Sequence, residues 1–239
     1  MNTKWFDAFV WKHANNVETI GIDIDEVLSH FLEAYLEFYN LRNSTTFKRD
    51  DFFSYNFWEV TWWTRDSAID SVHEFFETHH FTSMSPFEGS QEAIEKLKKL
   101  FNLVIITSRQ TSIEKETKIW LENHFPWFFK EVHFWNHFGK DWTKTSKSDI
   151  CKKLWVKLLI EDSLGYALEC SKEHISTILL DSPWNQTNEI LPSNIIRVKT
   201  WKDILEILEN PKNNLSKQIP QNFQSSLLVD KIRTSRDCD

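Results

Sequence analysis

A doubly wound α/β fold, a parallel sheet with a small helical cap inserted after its first core strand, is what this sequence predicts. Three observations carry that expectation. From Pro86 onward, short β-branched runs alternate with helical patterns in a regular order, which builds a parallel sheet covered by helices on both faces. Several of those runs end abruptly in carboxylate, hydroxyl or basic residues. Between the first run and the regular alternation, residues Arg42 to Phe81 are crowded with aromatic side chains interleaved with charge, a pattern of a compact helical insert rather than of a sheet. At 239 residues, the chain is long enough for one large domain or a domain with an insert.

Taken in order, residues 1–17 place Trp5, Phe6, Phe9 and Val10 at roughly helical spacing, predicting an amphipathic N-terminal extension. Residues 18–32 and 84–208 form the expected core, with residues 33–83 as the cap. Thr19 to Asp25 is too apolar and β-branched for a surface segment, so it reads as a buried strand ending in two carboxylates. A helix follows over Ser29–Tyr39, and Ser67 with Asp70 is the expected cap of a helix through His73–Phe76. Phe52, Phe53, Tyr55, Trp58, Trp62 and Trp63 are expected mostly to fill the small core of the insert, with one or two facing a cleft.

The alternation then runs helix Gln91–Leu100, strand Leu103–Ile106, helix Ile113–Asn123, strand Glu131–Phe134 and helix Ser148–Trp155. It continues with strand Lys157–Ile160, helix Tyr166–Lys172, strand Ser176–Leu180, strand Ile195–Val198 and helix Trp201–Leu208. Residues 209–239 are rich in Asn, Gln, Ser and Lys without a sustained period, and are expected to be largely disordered.

Composition removes several function classes. No apolar run approaches the roughly 18 residues of a bilayer span, so no membrane partner is expected. A net charge of −7, from 28 basic and 35 acidic residues, gives no electrostatic reason to expect a nucleic-acid polymer as partner. Three scattered cysteines, Cys151, Cys170 and Cys238, fit neither a disulfide scaffold nor a zinc cage. They point to a reducing compartment, most simply the cytoplasm. Four glycines in all leave no Gly-rich phosphate loop. Any phosphate site must therefore come from strand ends.

In an open parallel sheet, ligands bind beyond the C-terminal ends of the strands. Those ends supply Asp23 and Asp25, then Thr107, Ser108 and Arg109, then Glu161 and Asp162, with Lys140, Lys144 and Lys147 shortly before the last pair. Carboxylates at two strand ends make a hard-oxygen site suited to Mg²⁺. A hydroxyl and a lysine add donors for a phosphoryl group. Arg109 reads equally as a salt-bridge partner or a substrate ligand. Trp184 and Asn185, after another strand, read as cleft edge or plain loop. The histidines lack ligand spacing, so no zinc is expected.

Asp23-Ile24-Asp25-Glu26-Val27, Thr107-Ser108-Arg109-Gln110, Lys147-Ser148-Asp149-Ile150 and Leu159-Ile160-Glu161-Asp162 together resemble the four motifs of the haloacid dehalogenase (HAD) superfamily. The finer resemblance, over roughly residues 18–208, is to its 5′(3′)-deoxyribonucleotidase-like branch. It rests also on Asn136-His137-Phe138, Pro183-Trp184-Asn185 and Arg197-Val198-Lys199-Thr200-Trp201. The resemblance implies a Mg²⁺-dependent phosphohydrolase acting on a small phosphate monoester, a nucleoside monophosphate among the candidates, through an aspartyl-phosphate. It makes Asp23 the nucleophile and Asp25 the general acid and base. Thr107, Ser108 and Lys147 become phosphate ligands, with Lys144 a rival for Lys147. The implied metal ligands are Asp23, the Asp25 backbone carbonyl and Asp162. Arg109, Glu161, Trp184 and Asn185 would lie beside substrate or ligands. Glu26 stands where the nucleotidases usually have Gly, Glu161 where Asp is usual, and the lysine lies further before the acidic pair. Those departures leave a second class open, a HAD-shaped binding or regulatory protein with little turnover.

Overall fold

The computed structural model describes residues 17–135 and 146–209. The N-terminal helix expected over 1–17 and the tail expected over 209–239 lie, save for Val17 and Glu209, outside the described residues. So do Asn136, His137, Phe138, Lys140 and Lys144.

Six strands form one sheet among the described residues: β1 (Thr19–Ile22), β2 (Asn102–Thr107), β3 (Glu131–Phe134), β4 (Val156–Glu161), β5 (Ser176–Leu180) and β6 (Ile195–Val198). Their order is β3-β2-β1-β4-β5-β6 and every pairing is parallel. The order reverses between β1 and β4, the switch point where such sheets open a crevice at their C-terminal ends. The expected doubly wound fold is therefore the observed one.

Period-two alternation covers both faces of the sheet. Leu103 and Ile105 of β2 face a large core that contains Ile20, Ile22, Leu158, Ile160 and Trp201. Val104 and Ile106 face the other side and pack with Leu159, Cys151 and Cys170. Both cysteines are buried free thiols in that second layer, the small-hydrophobe role expected of them. Gly21 sits at the centre of β1 because nothing larger fits: a Cβ there would lie 2.9 Å from Ile106 Cδ1 and 3.2 Å from Leu159 Cδ1.

Between β1 and β2 the chain runs through α1 (Phe31–Asn43), a 3₁₀ turn (Arg49–Asp51), α2 (Phe57–Thr61), α3 (Arg65–Phe76), α4 (His79–Thr82) and α5 (Ser90–Leu97). Tyr35 of α1 is the hub of its aromatic core. Phe57 stacks on it at 5.1 Å, Phe75 meets it edge-on at 5.6 Å, and its hydroxyl donates to Ser71 Oγ at 3.0 Å. Two expectations are corrected here. Phe53 and Trp62 do not fill this core but are 64% and 87% exposed. Phe52 takes the inward place beside Phe53, and Trp62 ends the five-residue α2 in a left-handed conformation, φ 59°, that leaves its ring in solvent. The cap of α3 is Thr64, whose Oγ1 accepts from Ser67 N at 3.2 Å; Ser67 itself is the third helical residue.

The remaining helices are α6 (Glu114–His124), α7 (Lys147–Lys153), α8 (Leu164–Lys172) and α9 (Trp201–Glu209), with 3₁₀ turns at Thr111–Ile113 and Pro183–Asn185.

Candidate active site

β1 ends at Ile22, three residues short of the strand expected over Thr19–Asp25, yet Asp23 remains tied to the sheet. Its N–H donates to Ile160 O of β4 at 3.0 Å. The carboxylate is 1% exposed. The chain then folds back on itself, with Val27, Leu28 and Ser29 all donating their N–H groups to Ile24 O. That tight loop puts Glu26 in the left-handed region, φ 62°. A non-glycine residue there is strained by roughly 1–2 kcal/mol. Glu26 is held by contacts a glycine could not make: its Oε1 accepts from Leu32 N at 2.6 Å and its Oε2 from Arg49.

Beside Asp23, the strand end of β4 brings Glu161 and Asp162, and the first turn of α7 brings Lys147. Ser146 starts α7 by accepting from Asp149 N, which places Lys147 inward and fully buried. Its Nζ lies 2.5 Å from Glu161 Oε2, 3.2 Å from Asp23 Oδ1 and 4.8 Å from the Tyr166 ring centre. Glu161 is saturated, since its Oε1 also accepts from Asp162 N and Ser163 N. Asp162 is not. Its Oδ2 accepts from Trp184 Nε1 at 2.7 Å and its carbonyl from Asn185 Nδ2 at 2.7 Å, but Oδ1 is buried without a hydrogen-bond donor. Asp23 Oδ1, although close to the ammonium, also lacks an aligned donor.

The electrostatics follow from this crowding. Burial pushes the Asp23 carboxyl up to about 7, against the opposing pull of Lys147. Asp162 is pushed well above the usual carboxylate range by burial and by Glu161 and Asp23. Burial works against a charged Lys147, but Asp23 and Glu161 outweigh it and raise its pKa. Ligand atoms of Asp23, Glu161 and Asp162 lie within 4.8 Å of one another. Three carboxylates against one ammonium leave two formal negative charges uncompensated in a buried site.

The second strand end is arranged differently. Thr107 is buried and its Oγ1 accepts from Arg109 N at 3.2 Å. Ser108 faces the cavity. Arg109 turns away from solvent and grips Asp25, so its observed partner is a carboxylate. Nε lies 3.1 and 3.0 Å from the two Asp25 oxygens, and Nη2 2.6 Å from Oδ1.

A cavity of about 120 Å³ adjoins this cluster, with Asp23, Thr107, Lys147 and Glu161 buried and not among its lining residues. Asp25, Ser108, Arg109, Asp162 and Trp184 border it from the sheet side. Phe31, Tyr55, Phe57, Trp58 and Phe76 of the helical segment border it from the other, which identifies the aromatic residues of that segment that face the cleft. Trp184 therefore stands at the cleft edge, whereas Asn185 points inward, bonding Asp162 O and Leu180 O.

Sequence reasoning missed Arg49 and the contact between His73 and Gln110. Arg49 leaves its 3₁₀ turn to reach Glu26, Glu33 and Ser182, with its guanidinium 4.6 Å from the Trp184 ring centre. Gln110 Nε2 lies 3.0 Å from His73 Nε2, joining the β2 loop to α3. No spacing rule marks a lone arginine or glutamine. The only advance signal was Glu26, a charge in a glycine position that requires a partner.

The family model described as 5′ nucleotidase, deoxy (Pyrimidine), cytosolic type C protein matches residues 15–213 of this chain. A 5′(3′)-deoxyribonucleotidase of Bacillus subtilis (strain 168) is 25% identical over 189 residues, covering 78% of this chain and 96% of the relative. Among solved structures, a haloacid dehalogenase-like family hydrolase from Streptococcus pneumoniae superposes with TM-score 0.58 at 12% identity, over 80% of this chain and 97% of that one. The HAD-hydrolase YfnB from Bacillus subtilis, described as bound to magnesium, superposes with TM-score 0.56 at 15% identity, over 80% and 98%. At those identities the two structures carry the fold alone.

Proposed function

The chain belongs to the cytosolic type C 5′-nucleotidase family and has a HAD-like fold, and from that premise we propose that it is a phosphohydrolase of nucleoside monophosphates using Asp23 as nucleophile. The observation that carries this reading is Asp23 itself: a buried carboxylate at the sheet switch point, beside a buried lysine, with an oxygen that no hydrogen bond occupies.

In the proposed reaction, an Asp23 oxygen attacks phosphorus as the ester P–O bond breaks, and Asp25 gives its proton to the departing alkoxide. Water then attacks the aspartyl-phosphate, Asp25 takes the water proton, and Asp23 and inorganic phosphate are released. Lys147 balances the charge of Asp23 and Glu161 and holds them in place. Ser108 and Thr107 stand at the strand end where phosphoryl oxygens would be received. The helical segment acts as the cap, its aromatic side chains offering flat apolar surface to a base.

The residues fit a hard divalent cation. Asp23 and Asp162 present buried oxygens without donors, and the cluster has two negative charges to spare. We assign Mg²⁺ to these carboxylates with the Asp25 carbonyl, where it would supply charge compensation for the phosphoryl oxygens. No helix among the described residues is long and apolar enough to cross a membrane, and the buried free thiols support a reducing compartment such as the cytosol.

Phosphate release from a panel of nucleoside 5′- and 3′-monophosphates and simple alkyl phosphates, with Mg²⁺ and with EDTA, tests the reading. Release that EDTA abolishes is expected. Binding without release on every ester would instead favour the regulatory alternative.

A further inference from the structure

The Asp25 carboxylate is more tightly held than a mobile proton carrier on a loop would be. Arg109 contacts it through Nε and Nη2, and Ser29 Oγ adds a bond to Oδ1 at 3.2 Å. The arginine is itself fixed. Its side chain is 1% exposed, its Nη1 donates to Thr117 Oγ1 of α6 at 3.2 Å, and its guanidinium lies 5.0 Å from the Phe81 ring centre. A planar guanidinium gripping a carboxylate side-on fixes direction as well as distance. Asp25 is also one of the residues that border the cavity, and its side chain keeps 18% exposure.

We propose that Arg109 is a positioning residue for the phosphohydrolase: anchored by Thr117 and Phe81, it aims the Asp25 carboxylate at the leaving-group oxygen. The inference rests on the phosphatase reading, with Asp25 as proton donor. Arg109 spends Nε and Nη2 on Asp25 and Nη1 on Thr117. Its effect passes through Asp25, so it matters in proportion to how much the leaving group needs a proton.

Single-turnover release of the leaving group from a nucleoside monophosphate and from 4-nitrophenyl phosphate tests this, in the full chain with Mg²⁺. Nitrophenolate departs without protonation, whereas an alkoxide does not. Arg109→Lys keeps the charge but loses the fork. It should slow nucleoside release about 100-fold, the scale of a general acid's contribution, and nitrophenol release by less than about threefold. In an Asp25→Asn background, Arg109→Lys should add nothing to the loss on the nucleoside substrate. Thr117→Val, which frees one end of the guanidinium with little change of volume, should show the same selectivity in milder form and serves if the buried arginine variants do not fold. Equal losses on both substrates, or losses that multiply in the Asp25→Asn background, overturn the proposal. A wild-type protein that releases neither leaving group removes the phosphatase reading first, and this inference with it.

Discussion

Replacing one oxygen of Asp23 by an amide nitrogen separates nucleophile from scaffold. Asn fits the same space and can keep the backbone bond to Ile160, but its amide is a poor nucleophile. Asp23→Asn should lower single-turnover phosphate release by about 10³-fold or more while circular dichroism and the melting transition remain those of a folded protein. Near-normal turnover would reduce Asp23 to an electrostatic role. A steric prediction belongs two residues earlier. Gly21→Ala forces a Cβ against Ile106, Leu159 and Val156 within the central strand, so denaturant titration should show a loss of about 1–3 kcal/mol, the usual cost of overpacking.

At the scale of elements, the 3₁₀ turn Pro183–Asn185 acts as a bracket for Asp162. Trp184 holds one carboxylate oxygen and Asn185 holds the carbonyl. Such outer partners tune metal affinity by about 10- to 100-fold. Trp184→Phe should therefore raise the Mg²⁺ concentration for half-maximal activity by about tenfold, with kcat at saturating Mg²⁺ little changed; an unchanged Mg²⁺ dependence would remove the bracket role. Elements also show what was legible beforehand. The bounds of β3, β5 and β6 are those expected; β5 and β6 are short runs rich in β-branched residues, each followed by a charged residue, Asp181 and Lys199. The charged ends of β1 and β4 could be placed for the same reason. Helix ends drifted by a few residues, since Thr64 and Ser67 are both competent caps and only tertiary packing chooses between them. Partners were not legible. Neither Arg109 with Asp25 nor Arg49 with Glu26 obeys a local period, because each pair joins segments far apart in the chain.

For the whole molecule, the buried acids make stability depend on pH and, through the proposed Mg²⁺ site, on metal. Folding raises Asp23 from 3.8 to about 7 and Glu26 from 4.5 to about 7, burial being the main cause in each. The native state therefore binds protons that the unfolded chain releases, so this contribution is full below the unfolded pKa and is lost as pH rises towards about 7. In EDTA, the melting temperature should fall between pH 5 and pH 8. Mg²⁺ at about 100 times its dissociation constant should restore about 2.7 kcal/mol at pH 8 and much less at pH 5, where protons compete for the same oxygens. Equal Mg²⁺ effects at both pH values would place the cation elsewhere.

The bond from Asp23 N–H to Ile160 O has a consequence measurable without any substrate. It extends the central strand of the sheet, with β2 and β4 on either side and covered layers above and below. Amides so placed exchange with solvent deuterium only when the whole domain opens. The proposed nucleophile would then be among the slowest clocks in the protein, while the segment around the exposed Phe53 and Trp62 should exchange early. The proposed chemistry at phosphorus would thus be mounted on the part of the chain that yields last.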